Sequence, residues 1–234
     1  MKVAIHQPQY FPWPPYVHKI MAADIFVYLD TVQFNKNGLQ NRNQIKTSQG
    51  ALWITVPVKH KLGLTIRETE VADLKATRKH WKTLQANYAH ADGFNRWRAE
   101  LASFFDSAET SLARLAIDST EWMLAKLNVP TKRVYASELS QTEGQASKLV
   151  ASICKELKAT TYLTGSGALD YLDLDDFKAI DCEVMVQQWQ SFSYEQQYKA
   201  AGFVPNLSTL DLLLNAPDEA ATLIGSAGSW RTLE

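Results

Sequence analysis

Two periodicities divide this chain. Short apolar runs at Lys2 to His6 (KVAIH), Ile25 to Leu29 (IFVYL), Lys132 to Tyr135, Thr160 to Thr164 and Glu183 to Gln187 (EVMVQ) are too brief for helices and carry the β-branched bulk of buried strands. From Leu74 to Leu127 the apolar positions recur at helical spacing instead: Trp81, Leu84 and Tyr88, then Trp97, Leu101 and Phe104 or Phe105, then Leu112, Leu115, Trp122 and Leu127. Val17 to Ala23 predicts a helical turn or two, and Ala146 to Leu157 a helix. Ile45 to Val58 predicts a hairpin turning at Ser48-Gln49-Gly50. Strand, loop, short helix and strand open a parallel α/β unit, and Lys132 to Thr164 repeats it. The expectation is an α/β protein with a parallel-sheet, Rossmann-like core. A helical insertion at 74–128 and a small β-hairpin belong to one domain covering 1–234.

Composition narrows the class. Of 234 residues, 46% are hydrophobic and 21% charged, which excludes a largely disordered chain. No apolar run approaches the roughly 18 residues of a membrane span, and MKVAIHQ carries no signal-peptide core, so a cytoplasmic location is expected. Cys154 and Cys182 lie too far apart for a CxxC unit and read as core thiols. From Thr31 to Arg67 there are six basic residues and no acid. In a near-neutral chain such a run suits a small anionic ligand better than a long nucleic acid, its plain alternative being a solvated edge strand.

Residues able to do chemistry gather at three places. The first follows the opening strand, since open α/β sheets bind ligands outside the carboxyl ends of strands. It comprises His6, Gln7, Gln9 and Tyr10, then His18 and Lys19, joined by the loop Gln7 to Tyr16 (QPQYFPWPPY). Proline fixes φ and removes N–H donors, so this loop can be stiff without regular structure and present rings such as Trp13 to a base or sugar. A lone strand-end His is more often a satisfied core group. Two histidines, a lysine and two glutamines around one stiff loop shift the reading toward a site. The second place holds Asp30, Gln33, Asn41, Arg42, Asn43 and Lys46, which is either a plain turn or a site where Arg42 forks onto phosphate or carboxylate. The third is Gly165-Ser166-Gly167 with Tyr171 beyond it, a weak phosphate-cradle signal because the third glycine of a dinucleotide fingerprint and the P-loop lysine are both missing. Metal-ligand spacings, G-x-S-x-G and a Cys with a nearby His are absent from the sequence.

The runs IHQPQYFPW, YVHKIMAADIFVYLD, VQF, QNRNQIK and WITVPV, with NLSTLDLLLN from Asn206, resemble the WbqC-like family along nearly the whole chain. The resemblance implies a place in bacterial O-antigen (lipopolysaccharide) and related polysaccharide biosynthesis, where some members are proposed to be glycine transferases acting on amino sugars. It carries over His6, Gln7, Gln9, Tyr10, Phe11 and Trp13 from the first motif and His18, Lys19, Asp24, Asp30, Gln33 and Phe34 from the second. Gln40 to Asn43 and Lys46 come from the third, and Asn206, Ser208 and Asp211 from the last. Pro14-Pro15 departs from the family's Leu-Gly. A fainter likeness, in the strand, loop, His-bearing helix start and Ala-Asp, is to nucleotidylyltransferases and pantothenate synthetases, although Pro15 replaces the first His of their His-x-Gly-His pair.

The resemblance and the residues together imply an aminoacyl transferase, glycyl by the family proposal, making an amide on a nucleotide-linked amino sugar. His6, His18, Lys19 and Asp30 form the expected catalytic set, with His6 or His18 taking the amine's proton. Lys19, Arg42 and Lys46 would hold phosphates, and Gln7, Gln9 and the Gly165 loop the oxyanion. The donor is either an amino acid activated by ATP in the same site, which would make the enzyme an amide ligase, or an aminoacyl group delivered on tRNA or a carrier protein. The alternative is a non-catalytic nucleotide-sugar-binding or scaffold protein. Two geometric expectations follow: the Gln7 to Tyr16 loop lines the main pocket, and His6 and His18 converge on it.

Overall fold

A computed structural model of the protein describes residues 1–59, 61–140 and 142–234. In chain order its elements are β1 (Lys2–His6), α1 (Pro14–Ala22), β2 (Ile25–Tyr28), β3 (Arg42–Thr47), β4 (Gly50–Thr55), α2 (Lys75–Tyr88), α3 (Asp92–Phe105), α4 (Leu112–Lys126), β5 (Lys132–Tyr135), α5 (Ser147–Glu156), β6 (Thr161–Thr164), α6 (Leu174–Lys178), β7 (Glu183–Trp189), α7 (Thr209–Asn215), α8 (Ala220–Ser226) and β8 (Gly228–Thr232).

Six strands form one sheet in the order β5-β2-β1-β6-β7-β8. The first five are mutually parallel, and β8 returns antiparallel along β7. β3 and β4 make a separate antiparallel hairpin. The Rossmann-like α/β expectation therefore holds. Parallel strands need cover on both faces, and the alternation of β1 supplies it. Val3 and Ile5 join Val27, Tyr162 and Val184 against α5 and α6, while Ala4 joins Phe26, Tyr28 and Leu163 against the remaining helices. Cys154 and Cys182 are free and buried in the former cluster.

Helix α1 begins at Pro14, ahead of the apolar pattern that starts at Val17. Proline costs nothing at the first helical positions, whose N–H groups have no intrahelical acceptor. The stretch of helical spacing contains α2, α3 and α4. At the first turn of α3, a Cβ on Gly93 would lie 2.2 Å from the Leu213 carbonyl oxygen and 2.9 Å from Leu214 Cα of α7. Backbone cannot swing aside as a side chain can. Gly93→Ala is therefore expected to cost about 1–3 kcal/mol, seen as a lower denaturant midpoint at unchanged m-value.

Candidate functional site

From β1 the chain steps outward to β2 and β5, then returns to β6 and β7 on the other side, so the carboxyl ends of β1 and β6 flank a switch in direction. Ligands of open α/β sheets bind at such crevices. A cavity of about 440 Å³ opens there, with His6, Gln9, Trp13, Tyr16 and Lys19 on one side and Gly165-Ser166-Gly167, Gln187 and Trp189 on the other. No carboxylate stands among the described residues lining it. A cavity of similar size between the α2–α3 turn and residues 195–199 is different in kind, because its Glu195 and Lys199 already pair with each other at 2.7 Å.

Two groups set the electrostatics. His6 Nδ1 donates to the Gln7 carbonyl at 3.0 Å, and the ring meets Tyr16 edge-on at 4.8 Å, leaving Nε2 as an acceptor. Burial first, and then the Lys19 charge, lower the His6 pKa to about 3 against the pull of the Gln7 bond. Lys19, in the last turn of α1, is only 6% exposed and has no hydrogen bond or ion pair among the described residues. Burial alone lowers its ammonium to about 7. At neutral pH the imidazole is thus uncharged, and the lysine is poised between charged and neutral.

The loop between these residues is bent at Phe11, whose φ of 45° is costly for a side-chain-bearing residue. Three hydrogen bonds enforce the bend. Phe11 N–H donates to Ser119 Oγ at 2.8 Å, and its carbonyl accepts from Asn43 Nδ2 at 2.8 Å and Ser208 Oγ at 2.6 Å. Asn43 and Ser208 therefore position the loop from below. Gln40 Nε2 donates to Gln7 Oε1 at 2.6 Å and anchors the start of the loop. The loop's role is split: Gln9 and Trp13 reach the cavity, whereas Tyr10 turns inward and hydrogen-bonds His80 Nδ1 at 3.0 Å. Tyr10 belongs to the core.

Other expected residues lie apart from this cavity. His18 points away from its lining. Its Nδ1 accepts from Gln187 Nε2 at 2.8 Å, and its ring is stacked on Trp230 and met edge-on by Trp189. Gly228 leaves room for that ring, since a Cβ there would fall 2.3 Å from it. Gln187 thus lines the cavity with His6 while donating to His18, which does not itself line it. Asp30 is buried and accepts from Ser137 N–H at 3.0 Å and Oγ at 2.7 Å. Arg42 donates to the Asn37 carbonyl at 2.6 Å and stacks over Trp53 at 4.4 Å. Lys46 donates to the Gly202 carbonyl at 2.5 Å. Asn41 bonds the Val56 carbonyl, and Gln33 bridges to Thr65. Tyr171 is exposed, and Asn206 lines a small aromatic cleft with Trp13, Trp189 and Phe203. Gln187 and Trp189, which sequence reasoning left aside, join the site because β7 extends two residues further than its apolar core.

Sequence comparison fits the same chain-wide pattern, since the model of the WbqC-like protein family matches residues 7–223. This chain belongs to the WbqC-like family. An uncharacterized protein of Mycobacterium tuberculosis (strain ATCC 25618 / H37Rv), Rv1507c, is 34% identical over 226 residues, covering 94% of this chain and 95% of its own. No solved structure matches the chain. Among the described residues of this WbqC-like protein, no helix is long and apolar enough to cross a membrane, and no group of three or more His, Cys, Asp or Glu could hold a metal ion.

Buried imidazoles make this WbqC-like fold acid-sensitive. His80 donates from Nε2 to the Thr55 carbonyl and accepts from Tyr10, and burial lowers its pKa to about 4. Both His6 and His80 have folded pKa values below the unfolded one, so the unfolded chain binds more protons as pH falls. The contribution of these two histidines to stability is accordingly complete above about pH 6.5 and is lost between there and about pH 3. At pH 5 the pair is expected to cost on the order of 2–4 kcal/mol. Urea melts at pH 7 and pH 5 would show the loss, and His80→Gln would reduce it.

Proposed function

We propose that this protein transfers an aminoacyl group, glycyl as suggested for the family, onto the amine of a nucleotide-linked amino sugar in bacterial O-antigen or related surface-polysaccharide biosynthesis. The observation that carries the reading is one acid-free cavity holding an unpartnered cation, Lys19, beside an imidazole whose free nitrogen can only accept, His6. In this scheme the acceptor amine attacks the donor carbonyl, forming a C–N bond and an oxyanion. Collapse of the oxyanion expels the donor's leaving group, and the amine's proton passes to His6 Nε2. The Gln9 amide and Ser166 hydroxyl are the candidates to meet the oxyanion, and Lys19 to hold the acceptor's anionic end. Ser166 has no hydrogen-bonded base among the described residues, and Cys154 and Cys182 are buried in the core cluster under α5 and α6, which supports direct attack over a seryl or cysteinyl intermediate. One observation favours the other reading, a module that binds a nucleotide sugar without turnover: His6 is a weak base in the empty site.

The deciding assay is mass spectrometry of nucleotide-linked amino sugars incubated with the protein, glycine, ATP and glycyl-tRNA, each component withheld in turn. An acceptor heavier by one glycyl unit supports transfer, and the component whose omission abolishes it names the donor. No mass change under any combination leaves the binding-module reading. His6→Ala is expected to slow turnover about 10²-fold at unchanged circular dichroism. Full activity would remove His6 as the base.

A further inference from the structure

An ion left without a counter-ion inside a protein is costly, so native chains pair, neutralise or solvate it. Lys19 has none of the protein partners that would do this. It is 6% exposed, its Nζ stands 6.0 Å from the Tyr16 ring centroid, and the space beside it is open because Gly165 carries no side chain; a Cβ there would sit 3.5 Å from Nζ. On the same side of the cavity Gln9, 7% exposed, keeps its Oε1 without a partner among the described residues, an acceptor that suits a hydroxyl or N–H of the ligand rather than its anionic group. The titratable side chains facing Lys19 are His6 from β1 and Tyr16 from its own helix, with His18 next to it in sequence but turned toward Trp230. The β6 and β7 side contributes Ser166, Gln187 and Gln188, none of which titrates.

We propose that this cavity is an anion site in which a phosphate or carboxylate group of the ligand supplies the counter-ion of Lys19, and that occupancy is coupled to uptake of a proton on Nζ. This deepens the transferase reading by naming what the site grips, but it needs no turnover. With burial holding Lys19 at about 7, the neutral amine becomes the favoured form as pH rises above neutrality. The arriving anion favours the charged form and reverses that balance.

The test is a heteronuclear NMR titration of the Lys19 side chain from pH 6 to 9, assigned by loss of the signal in Lys19→Arg. Sulfate and acetate serve as probes because neither changes charge over that range. The expected free midpoint is near 7, and saturating sulfate or acetate raises it by at least one unit. A larger shift and tighter binding with sulfate identify a phosphate-like group, and the reverse a carboxylate. Lys19→Arg, always charged, should bind the same probe with an affinity that no longer falls as pH rises from 7 to 9. A free midpoint near 10.5, or a midpoint that neither anion moves, overturns the proposal. An anion-driven shift without glycyl transfer in the mass assay would leave the site and remove the transferase, whereas transfer without a shift would do the opposite.

Discussion

Lys19→Met is expected to raise the thermal midpoint of the protein and, under the proposed transferase reading, to reduce turnover by about 10- to 10²-fold. The two effects have one cause, a lone ammonium kept almost out of water. Its folded pKa lies below the unfolded value, so the native state bears the full cost of the buried charge below about pH 7 and progressively less of it up to about 10.5. Methionine is of similar length and needs no counter-ion. The gain should therefore be largest at pH 6, on the order of 5 kcal/mol or about 10–20 °C, and should shrink by pH 9. Calorimetric scans at the two pH values, set beside the glycyl-transfer assay, check both halves. A variant that is less stable at pH 6, or one that turns over at an unchanged rate, would mean that Lys19 is an ordinary packing residue.

Asp211→Ala should be the most damaging single change to the fold outside the cavity, at about 3–5 kcal/mol. The carboxylate is fully buried in α7 and accepts from Tyr88 Oη of α2, from Tyr194 Oη at 2.6 Å, from Gln196 Nε2 at 3.2 Å and from the Lys46 N–H of β3 at 3.3 Å. Burial pushes its pKa up, while the Tyr194, Tyr88 and Lys46 bonds hold it down. Alanine would strand those donors in the core with nothing to accept their hydrogens. Asp211→Asn keeps an acceptor oxygen but turns an NH₂ toward donors, so it should fall between the two. Equilibrium urea unfolding of the three proteins gives the order directly.

The centre of the parallel core was legible because β1, β2 and β6 are short runs buried on both faces, which leaves no polar alternation to confuse with helix, whereas β5, Lys-Arg-Val-Tyr at the edge, is only half-buried. β8 was not, because Gly228–Thr232 is an edge strand with mostly exposed or half-exposed residues and little apolar signal. His6, Gln9, Trp13 and Lys19 could be placed at one crevice from the strand–loop–helix order, whereas Gly165 read as a separate, weaker place that the fold brings beside them. The basic run shows what linear charge cannot convey. Arg42 and Lys46 each donate to a carbonyl, of Asn37 and Gly202, and only the folded chain shows that Lys19, outside the run, is the buried ammonium without a partner among the described residues. Asn43 and Ser208 read as ligand contacts but act on the Phe11 carbonyl, a role set by a backbone bend that no residue type announces.

The position of β1 in the sheet has a bearing on how the protein is made. Val3 lies opposite Ile25, but Lys2 lies opposite Thr161, so β1, which is synthesised before the other strands of its sheet, gains one neighbour early and its other only after more than a hundred further residues have emerged. At typical elongation rates of about 5–20 residues per second that wait lasts on the order of 10–30 s. During it the free edge of β1 is open to pairing with a foreign strand, and the crevice still lacks Gly165 and Trp189. Slowing translation between Tyr28 and Thr161 lengthens this exposure, whereas slowing it beyond Trp189 leaves it unchanged.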